Sequence, residues 1–375
     1  MIYFDNAAST YPKPPCVIKK VSAWMRKNGA NPGRSGHKMS MEAAEMIYDT
    51  RVAFAELFGL NNPQNVILVP GATYALNTVL LGIFKPGDHV ITTDLEHNSV
   101  LRPLWFLKKQ GVEVSFARVD FSDDTRTVFN VMSQVKKNTK GIVCTQCSNV
   151  CGYVVPIREI SIARPHGVNM IVDGSQGAGV IPTNVSELGV DYYCAPSHKG
   201  LLGPQGGGVL LINNVPPAPL VFGGTGTETL NPEQPLELPE RLESGTLPSP
   251  ICAGMLAGAE YITEHGILNI FNHKKKLTDY AYASLSKLQN LNLYMKDHRE
   301  RCLGVVPINV HGLNSTELTE YLDSKGICVR GGLHCAPLFH KKMNTVNTGM
   351  VRVSFGIYNT ENEIDYLLNT LKKII

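Results

Sequence analysis

The chain has 375 residues, of which 43% are hydrophobic and 18% are charged, with a formal net charge of +3. This profile is typical of a soluble globular protein of about two domains. The small charge gives no support to nucleic acid or an anionic membrane as a partner. No apolar stretch predicts a transmembrane span, and the N-terminus lacks the basic and apolar parts of a secretory signal. Nine scattered cysteines do not predict a disulfide framework, so we expect a cytoplasmic protein with mostly free thiols.

Apolar runs that are typical of buried strands alternate with helical segments through most of the first 215 residues. The predicted strands lie at 66–69, 89–93, 112–116, 141–145, 169–172, 191–195 and 208–212, with helices at about 73–84 and 103–110. This alternation favours an α/β fold with a mostly parallel sheet and helices on both faces. A Pro- and Gly-rich segment, 213–250, is predicted to be loops. After it we predict a long helix at 251–288, a strand at 304–310 and a C-terminal helix from 360, which indicate a second, α+β domain.

A lysine in a glycine-rich turn is the most informative feature. Lys199 follows a predicted strand and precedes five glycines between positions 200 and 208. Such glycines let the backbone approach a ligand closely. A lone lysine of this kind is usually an exposed loop residue, and the spacing fits neither common glycine-rich nucleotide motif.

Three other strand ends carry polar residues that suit one cofactor. Asp173 ends a predicted strand, where it can bind the ring nitrogen of pyridoxal phosphate (PLP) or simply cap a helix. Thr73 lies at the start of a predicted helix, where free N–H groups and the helix dipole can bind a phosphate. His97 follows another strand and can stack on a flat ring. Each is ordinary alone; together with Lys199 they indicate PLP.

In addition, nine segments along the chain resemble one family. They lie at 3–10, 31–37, 96–99, 148–152, 172–176, 197–200, 243–246, 330–336 and 351–354. In this order they resemble PLP enzymes of the class V aminotransferase fold, specifically SUF-type cysteine desulfurases and selenocysteine lyases. The resemblance implies fold type I, with a mostly parallel seven-stranded sheet and a smaller α+β domain. We expect a large PLP-binding domain at 16–250, and a small domain at 1–15 and 251–375 that carries the catalytic cysteine loop.

The resemblance also implies three groups of site residues. The catalytic residues are Lys199, Cys335 and His97. The cofactor-binding residues are Ala72, Thr73, His97, Asn149, Asp173, Gln176, Ser197, His198, Lys199 and Thr246. The substrate-binding residues are Ala8, Asn149 and Arg352, with Ala7 close by.

Within these groups the implied roles differ. Lys199 attaches the cofactor and moves the proton, while His97 stacks on the ring and Gln176 lies near its phenolic oxygen. Thr246 reaches the phosphate from the other subunit of a homodimer. Arg352 clamps the substrate carboxylate with its planar fork of donors. Ala72 stands where relatives often have a second threonine, so that phosphate contact is expected from the backbone.

The cysteines fall into two classes. Cys335 is the implied nucleophile, and we expect its thiolate to be favoured by positive charge on the neighbouring residues Arg330, His334, Lys341 and Lys342. Leu333 replaces the first histidine of the family's usual His-His-Cys. The C-x2-C-x3-C segment at 144–151 offers only three metal ligands, and we predict no metal site.

The implied activity is that of a PLP-dependent cysteine desulfurase. L-cysteine would become L-alanine, and a persulfide on Cys335 would pass to an acceptor protein or a small thiol. The alternatives are a selenocysteine lyase, another class V aminotransferase or lyase, and a non-catalytic PLP-binding sulfur-relay protein. A nucleotide-dependent enzyme is a more distant alternative.

Overall fold

The computed structural model describes residues 1–33 and 35–374; Arg34, part of the 31–37 motif, lies outside the described residues. The strands are β1 (Ile2–Tyr3), β2 (Val66–Val69), β3 (His89–Thr93), β4 (Glu113–Ala117), β5 (Thr139–Thr145), β6 (Asn169–Asp173), β7 (Tyr192–Pro196), β8 (Gly208–Ile212), β9 (Leu291–Leu293), β10 (Val305–Val310), β11 (Ile327–Cys328), β12 (Arg330–Gly332) and β13 (Met350–Ser354). The helices are α1 (Pro15–Lys27), α2 (Lys38–Phe58), α3 (Ala72–Ile83), α4 (Asn98–Lys109), α5 (Asp124–Met132), α6 (Ile157–Ala163), α7 (Ser249–His265), α8 (Ile267–Leu285), α9 (Ser315–Ser324), α10 (Pro337–Lys342) and α11 (Glu361–Leu371).

Seven strands form the main sheet, in the order β2-β8-β7-β6-β5-β3-β4. The pairs from β7 to β4 are parallel, whereas β8 is antiparallel to both of its neighbours. The predicted fold class and all seven predicted strands are confirmed, each within two residues at either end. Because β2 and β7 both run antiparallel to β8, the ends of β2, β3, β5, β6 and β7 meet at one edge of the sheet.

Alternation along the strands places a separate hydrophobic core on each face. In β5, Ile142 and Cys144 join a core that includes Phe54 of α2. Val143 between them joins a second core with Leu76 of α3 and residues of α4. Successive residues of a central strand face different cores, and both cores are apolar. The central strands therefore appear in the sequence as unbroken apolar runs.

A second, antiparallel sheet has the order β12-β13-β10-β9, and β1 pairs with β11 in a small parallel ribbon. The helix predicted at 251–288 is two helices, α7 and α8, because Gly266 (φ 78°) adopts a left-handed conformation between them. The helix predicted from Pro103 starts earlier, at Asn98, where the His97 side chain accepts the Ser99 N–H. Pro103, where the helix was predicted to begin, therefore lies inside α4.

The segment 213–248 contains no helix or strand, as predicted for this described stretch. It is held to the sheet by a buried ion pair between Arg51 of α2 and Glu243, whose side chains are 6% and 4% exposed. Glu243 Oε1 accepts from Arg51 Nη1 at 2.7 Å and from the Leu68 N–H at 2.6 Å. This carboxylate therefore fixes the path of the loop segment against β2.

Arg51→Met is expected to destabilise the protein by about 3–5 kcal/mol, because it leaves the Glu243 carboxylate buried without its counter-charge. The measurement is the urea unfolding midpoint. Glu113→Gln is the matched control, since Glu113 pairs with Lys136 at 2.9 Å on the surface and its loss should leave the midpoint unchanged. Equal effects of the two substitutions would contradict this account of the loop segment.

Candidate active site

A cavity of about 670 Å³ lies at the sheet edge where the strand ends meet. It is also bordered by the N-terminus of α3 and by β13. Most of the residues predicted from sequence line it: Ala7, Ala8, Ala72, Thr73, His97, Asn149, Asp173, Gln176, His198, Lys199 and Arg352. Ser197, Thr246 and Cys335 do not. The crevice expected at the carboxyl ends of parallel strands is thus where these side chains converge.

Asp173 ends β6 at the centre of this edge. Its side chain is almost fully buried, and Oδ1 accepts the Ser175 N–H at 3.0 Å. It faces Thr145 of β5 and Cys194 of β7 in register. In the described part of the chain no lysine or arginine forms an ion pair with it, so its carboxylate is available to a group in the cavity.

Lys199 follows β7 and carries an amine with altered acidity. Burial lowers the pKa of Lys199 to about 8, while the negative charge of Asp173 acts in the opposite direction. The backbone around Lys199 is fixed by the N-terminal segment: Thr10 Oγ1 donates to the Lys199 carbonyl at 2.9 Å, and Lys13 Nζ donates to the His198 carbonyl at 2.6 Å. The amine is therefore held on a rigid turn.

The N-terminus of α3 can bind an anion. Its N-cap is Gly71, which provides no side-chain acceptor for the first free N–H groups. Thr73 Oγ1 lies 2.8 Å from Ser99 Oγ on the same rim. His198 also faces the cavity, and burial lowers its pKa to about 4, so its imidazole is neutral at physiological pH. These groups can bind a phosphate through hydrogen bonds and the helix dipole.

His97 caps α4 and lines the same cavity. Its Nδ1 accepts the Ser99 N–H at 3.0 Å, which assigns the proton of the neutral ring to Nε2. Burial lowers the pKa of His97, an effect that Asp173 opposes and Lys199 supports. A neutral, oriented imidazole is suited to stacking on a flat ring.

Arg352 on β13 is 2% exposed, and its guanidinium group already donates two hydrogen bonds within the protein. Nη2 donates to Asp5 Oδ1 at 2.7 Å and Nη1 donates to the Asn149 carbonyl at 3.0 Å. Nε is buried without a partner in the described part of the chain. A buried donor of this kind fits a carboxylate ligand, which can satisfy it.

Asn149 and Gln176 both connect the cavity wall to other segments. Asn149 Nδ2 donates to the His334 carbonyl at 2.8 Å, so it holds the loop that precedes Cys335. Gln176 Nε2 donates to the Ala7 carbonyl at 2.9 Å. Each still lines the cavity, and their predicted contacts with cofactor and substrate stay predictions.

Two predicted phosphate ligands lie elsewhere. Ser197 is fully buried, and its hydroxyl donates to the Pro204 carbonyl. Thr246 is exposed and borders a different pocket, with Leu68, Tyr74 and Gly206. Thr246 therefore does not reach the cavity of its own chain, and the phosphate roles of both residues stay predictions.

Cys335 is exposed and borders an adjoining cavity of about 490 Å³. The two cavities share Thr73, Asn77, His97 and Ser99 as lining residues. His334 and Cys335 both have left-handed backbones, with φ of 51° and 56°. The Asn98 N–H donates to the Cys335 carbonyl at 2.7 Å, which fixes the cysteine loop on the start of α4.

The expected positive surroundings of Cys335 need correction. Lys342 pairs with Asp94 at 2.9 Å and donates to the Val119 carbonyl, so its positive charge is offset by the Asp94 carboxylate. Burial lowers the pKa of His334 to about 3, which makes this imidazole neutral. Arg330 lines the main cavity. The expectation that all four neighbours stabilise the thiolate was therefore too broad.

Sequence reasoning missed the functional use of Asp5, Lys13 and Glu96. Asp5 pairs with Arg352, Lys13 fixes the lysine turn, and Glu96 is fully buried just before His97. Asp5 and Glu96 lie inside motifs noted in the sequence, and that position was the available signal. The partners of Asp5 and Lys13 are 347 and 185 positions away, and Glu96 also accepts from Thr145, 49 positions away, so no local pattern indicated these contacts.

The other cysteines lie mostly in the interior of the protein. All nine are free thiols, and in the ranges described no three His, Cys, Asp or Glu side chains are arranged to hold a metal ion. None of the described helices is long and apolar enough to cross a membrane.

Comparisons with known proteins agree with the geometry. The family described as aminotransferase class-V matches residues 2–367. A probable cysteine desulfurase of Methanothermobacter thermautotrophicus is 30% identical, with all of this chain and 94% of that protein aligned. A cysteine desulfurase of Yersinia pseudotuberculosis is 31% identical over all of this chain and 93% of its own. The apo structure of a cysteine desulfurase from Thermococcus onnurineus superposes with a TM-score of 0.90 at 30% identity, covering 100% of this chain and 94% of that one.

Asp5→Asn is expected to lower the free energy of unfolding by about 2 kcal/mol, because a hydrogen bond between two charged groups is replaced by a weaker one at a buried guanidinium. Thermal unfolding measures the change. Asp124→Asn is the control, since Asp124 pairs with Arg301 at 2.7 Å where both side chains are about one-third exposed. If Asp5→Asn costs no more than this control, Asp5 is not the required counter-charge of Arg352.

Proposed function

This chain belongs to the class V aminotransferase family, and on that premise we propose that it is a PLP-dependent cysteine desulfurase. It converts L-cysteine to L-alanine and keeps the sulfur as a persulfide on Cys335. The observation that supports this most strongly is the convergence of Lys199, Asp173 and Arg352 in one cavity whose wall is shared with the cavity of Cys335.

The residues present fit PLP. The open N-terminus of α3, with Thr73 and His198, suits the phosphate, and the unpaired carboxylate of Asp173 suits the ring nitrogen. His97 suits the ring face. When bound, PLP supplies an aldehyde that condenses with amines and a ring that withdraws electrons from the substrate's α-carbon.

Lys199 supplies the amine and then moves a proton. With a pKa of about 8, its Nζ loses a proton far more readily near neutral pH than an exposed lysine does. The free amine can then accept the proton of the substrate α-carbon and return it to a neighbouring carbon. The bonds from Thr10 and Lys13 keep the Lys199 turn fixed while this happens.

Arg352 orients the substrate. The unpartnered Nε and the second N–H of each terminal nitrogen are available to the substrate carboxylate, because Asp5 and the Asn149 carbonyl each accept only one hydrogen bond from the guanidinium. A carboxylate held there has its α-carbon inside the main cavity. Its thiol end can then extend toward the rim formed by His97 and Ser99, which is shared with the cavity of Cys335.

Cys335 accepts the sulfur. Its thiolate attacks the substrate sulfur, so a sulfur–sulfur bond forms and the carbon–sulfur bond of the substrate breaks. The electron pair of the broken bond stays on the substrate carbon, which takes up a proton and becomes the methyl group of alanine. Sulfur is thus transferred as a neutral atom, and no external oxidant is needed.

The partners follow from this chemistry. The persulfide on the exposed Cys335 is passed to an acceptor protein or a small thiol. The chain works as a homodimer in which Thr246, exposed and outside its own cavity, completes the phosphate site of the other subunit.

Nine free thiols support a reducing cytoplasm as the site of action. The division into a large domain at 16–250 and a small domain at 1–15 and 251–375 belongs to the same proposal.

Cys335→Ala is expected to reduce alanine release from L-cysteine by about 100-fold or more, because the sulfur loses its acceptor. The variant should still bind L-cysteine, seen as a change in the cofactor's absorbance. Selenocysteine turnover should fall less, since selenium leaves carbon more readily. Cys16→Ala, which removes another exposed thiol, is the control. Undiminished alanine release by Cys335→Ala would favour a lyase or transaminase instead.

Mixing Lys199→Ala and Thr246→Ala chains tests the shared site. Lys199→Ala alone should be inactive, and Thr246→Ala should bind PLP about tenfold more weakly through the loss of one phosphate contact. A heterodimer of the two contains one site free of both changes. After subunit exchange at limiting PLP, activity should therefore exceed the sum of the separate chains. A fully active monomer on sizing would contradict the proposal.

A further inference from the structure

Glu96 is a fully buried acid that the proposed chemistry does not use. It lies between the end of β3 and His97, the N-cap of α4. Its Oε1 accepts from Thr93 Oγ1 at 2.6 Å and from the Thr145 N–H at 3.0 Å. Its Oε2 is buried and has no hydrogen-bond partner in the described part of the chain.

The groups around Glu96 are acidic or neutral. Asp173 faces it from β6, Cys144 from β5, and Asp94 lies two residues away and is paired with Lys342. Burial raises the pKa of Glu96 to about 8; the bonds from Thr93 and Thr145 oppose this rise, and the negative charge of Asp173 adds to it. A carboxylate here would be a buried charge with no cation beside it.

We propose that Glu96 is a positioning residue that the folded protein holds as an uncharged acid. Its carbonyl oxygen joins the ends of β3 and β5 and so sets the backbone that carries His97. Asp173, which lines the cavity, is then the carboxyl group that would hold the ring nitrogen of PLP. This role rests on the cofactor site of the proposed function.

The charge state matters because like charges raise one another's pKa. An ionised Glu96 would place a second buried negative charge near Asp173. Glu96 therefore supplies the shape and hydrogen bonds of a carboxyl group at this position without adding a second negative charge near Asp173.

Stability as a function of pH tests the uncharged acid directly. In the unfolded chain Glu96 has the ordinary pKa of 4.5, whereas burial in the folded protein raises the pKa of Glu96 to about 8. The unfolded state thus binds fewer protons between these values, and Glu96 makes the folded protein less stable as pH rises through this window. Glu96→Gln keeps the shape and removes this contribution.

The holoenzyme and its Glu96→Gln variant are compared by thermal unfolding. The variant's Tm relative to wild type should rise by at least about 3 °C between about pH 5 and about pH 8, then level off. Contributions of other groups cancel in this difference. Glu56→Gln, which alters an exposed glutamate of α2, should give a difference that is flat with pH. A Glu96→Gln difference that is flat, or that falls with pH, overturns the proposal.

A second comparison tests the positioning role. Glu96→Leu cannot accept from Thr93 or Thr145, so its holoenzyme should retain less PLP after dialysis, and Glu96→Gln should restore retention. Equal retention by Leu and Gln variants would remove the positioning role. If wild type releases no alanine from L-cysteine, the proposed function fails, whereas the unfolding curves still decide the state of Glu96.

Discussion

A buried guanidinium needs a fixed counter-charge, and the pairing of Arg352 with Asp5 meets that need. Asp5 is placed by the N-terminal segment, which continues past Ala7 to the bonds at Thr10 and Lys13 that hold the Lys199 turn. One short segment therefore fixes the carboxylate-binding arginine of the antiparallel sheet relative to the reactive lysine of the parallel sheet. Cofactor attachment and substrate orientation depend on the same eleven-residue stretch, 3–13.

The cysteine loop is attached differently. It belongs to the antiparallel sheet's side of the molecule, yet its His334 and Cys335 carbonyls accept from Asn149 and from the start of α4. The cysteine loop contributes backbone carbonyls to these two contacts, which leaves the Cys335 thiol free and exposed beside its own cavity. A thiol that must accept sulfur from one partner and deliver it to another needs this kind of access.

The fold and most of the cavity could be predicted because both depend on local patterns. Central strands are apolar on both faces, and polar residues at their carboxyl ends must meet at one edge, so Asp173, His97 and Lys199 could be grouped from sequence. The Asp5–Arg352 pair could not, since its partners are 347 positions apart and depend on how two sheets pack. The protonation of His334 and the pairing of Lys342 were missed for the same reason: charge near a cysteine in sequence does not determine burial or partner in space.

Three buried carboxyl groups show how environment, rather than residue type, sets their roles. Glu243 has Arg51 and a backbone N–H, so it is a structural anion that fixes a loop segment. Asp173 forms no ion pair among the described residues but opens into the cavity, so a ligand can supply a positive charge in direct contact with it. Among the described residues Glu96 forms no ion pair and does not line the cavity, and the lowest-energy solution for such a group is to keep its proton. Glu96 and Asp173 lie at the ends of β3 and β6, on either side of β5, so an uncharged Glu96 keeps a second negative charge away from Asp173.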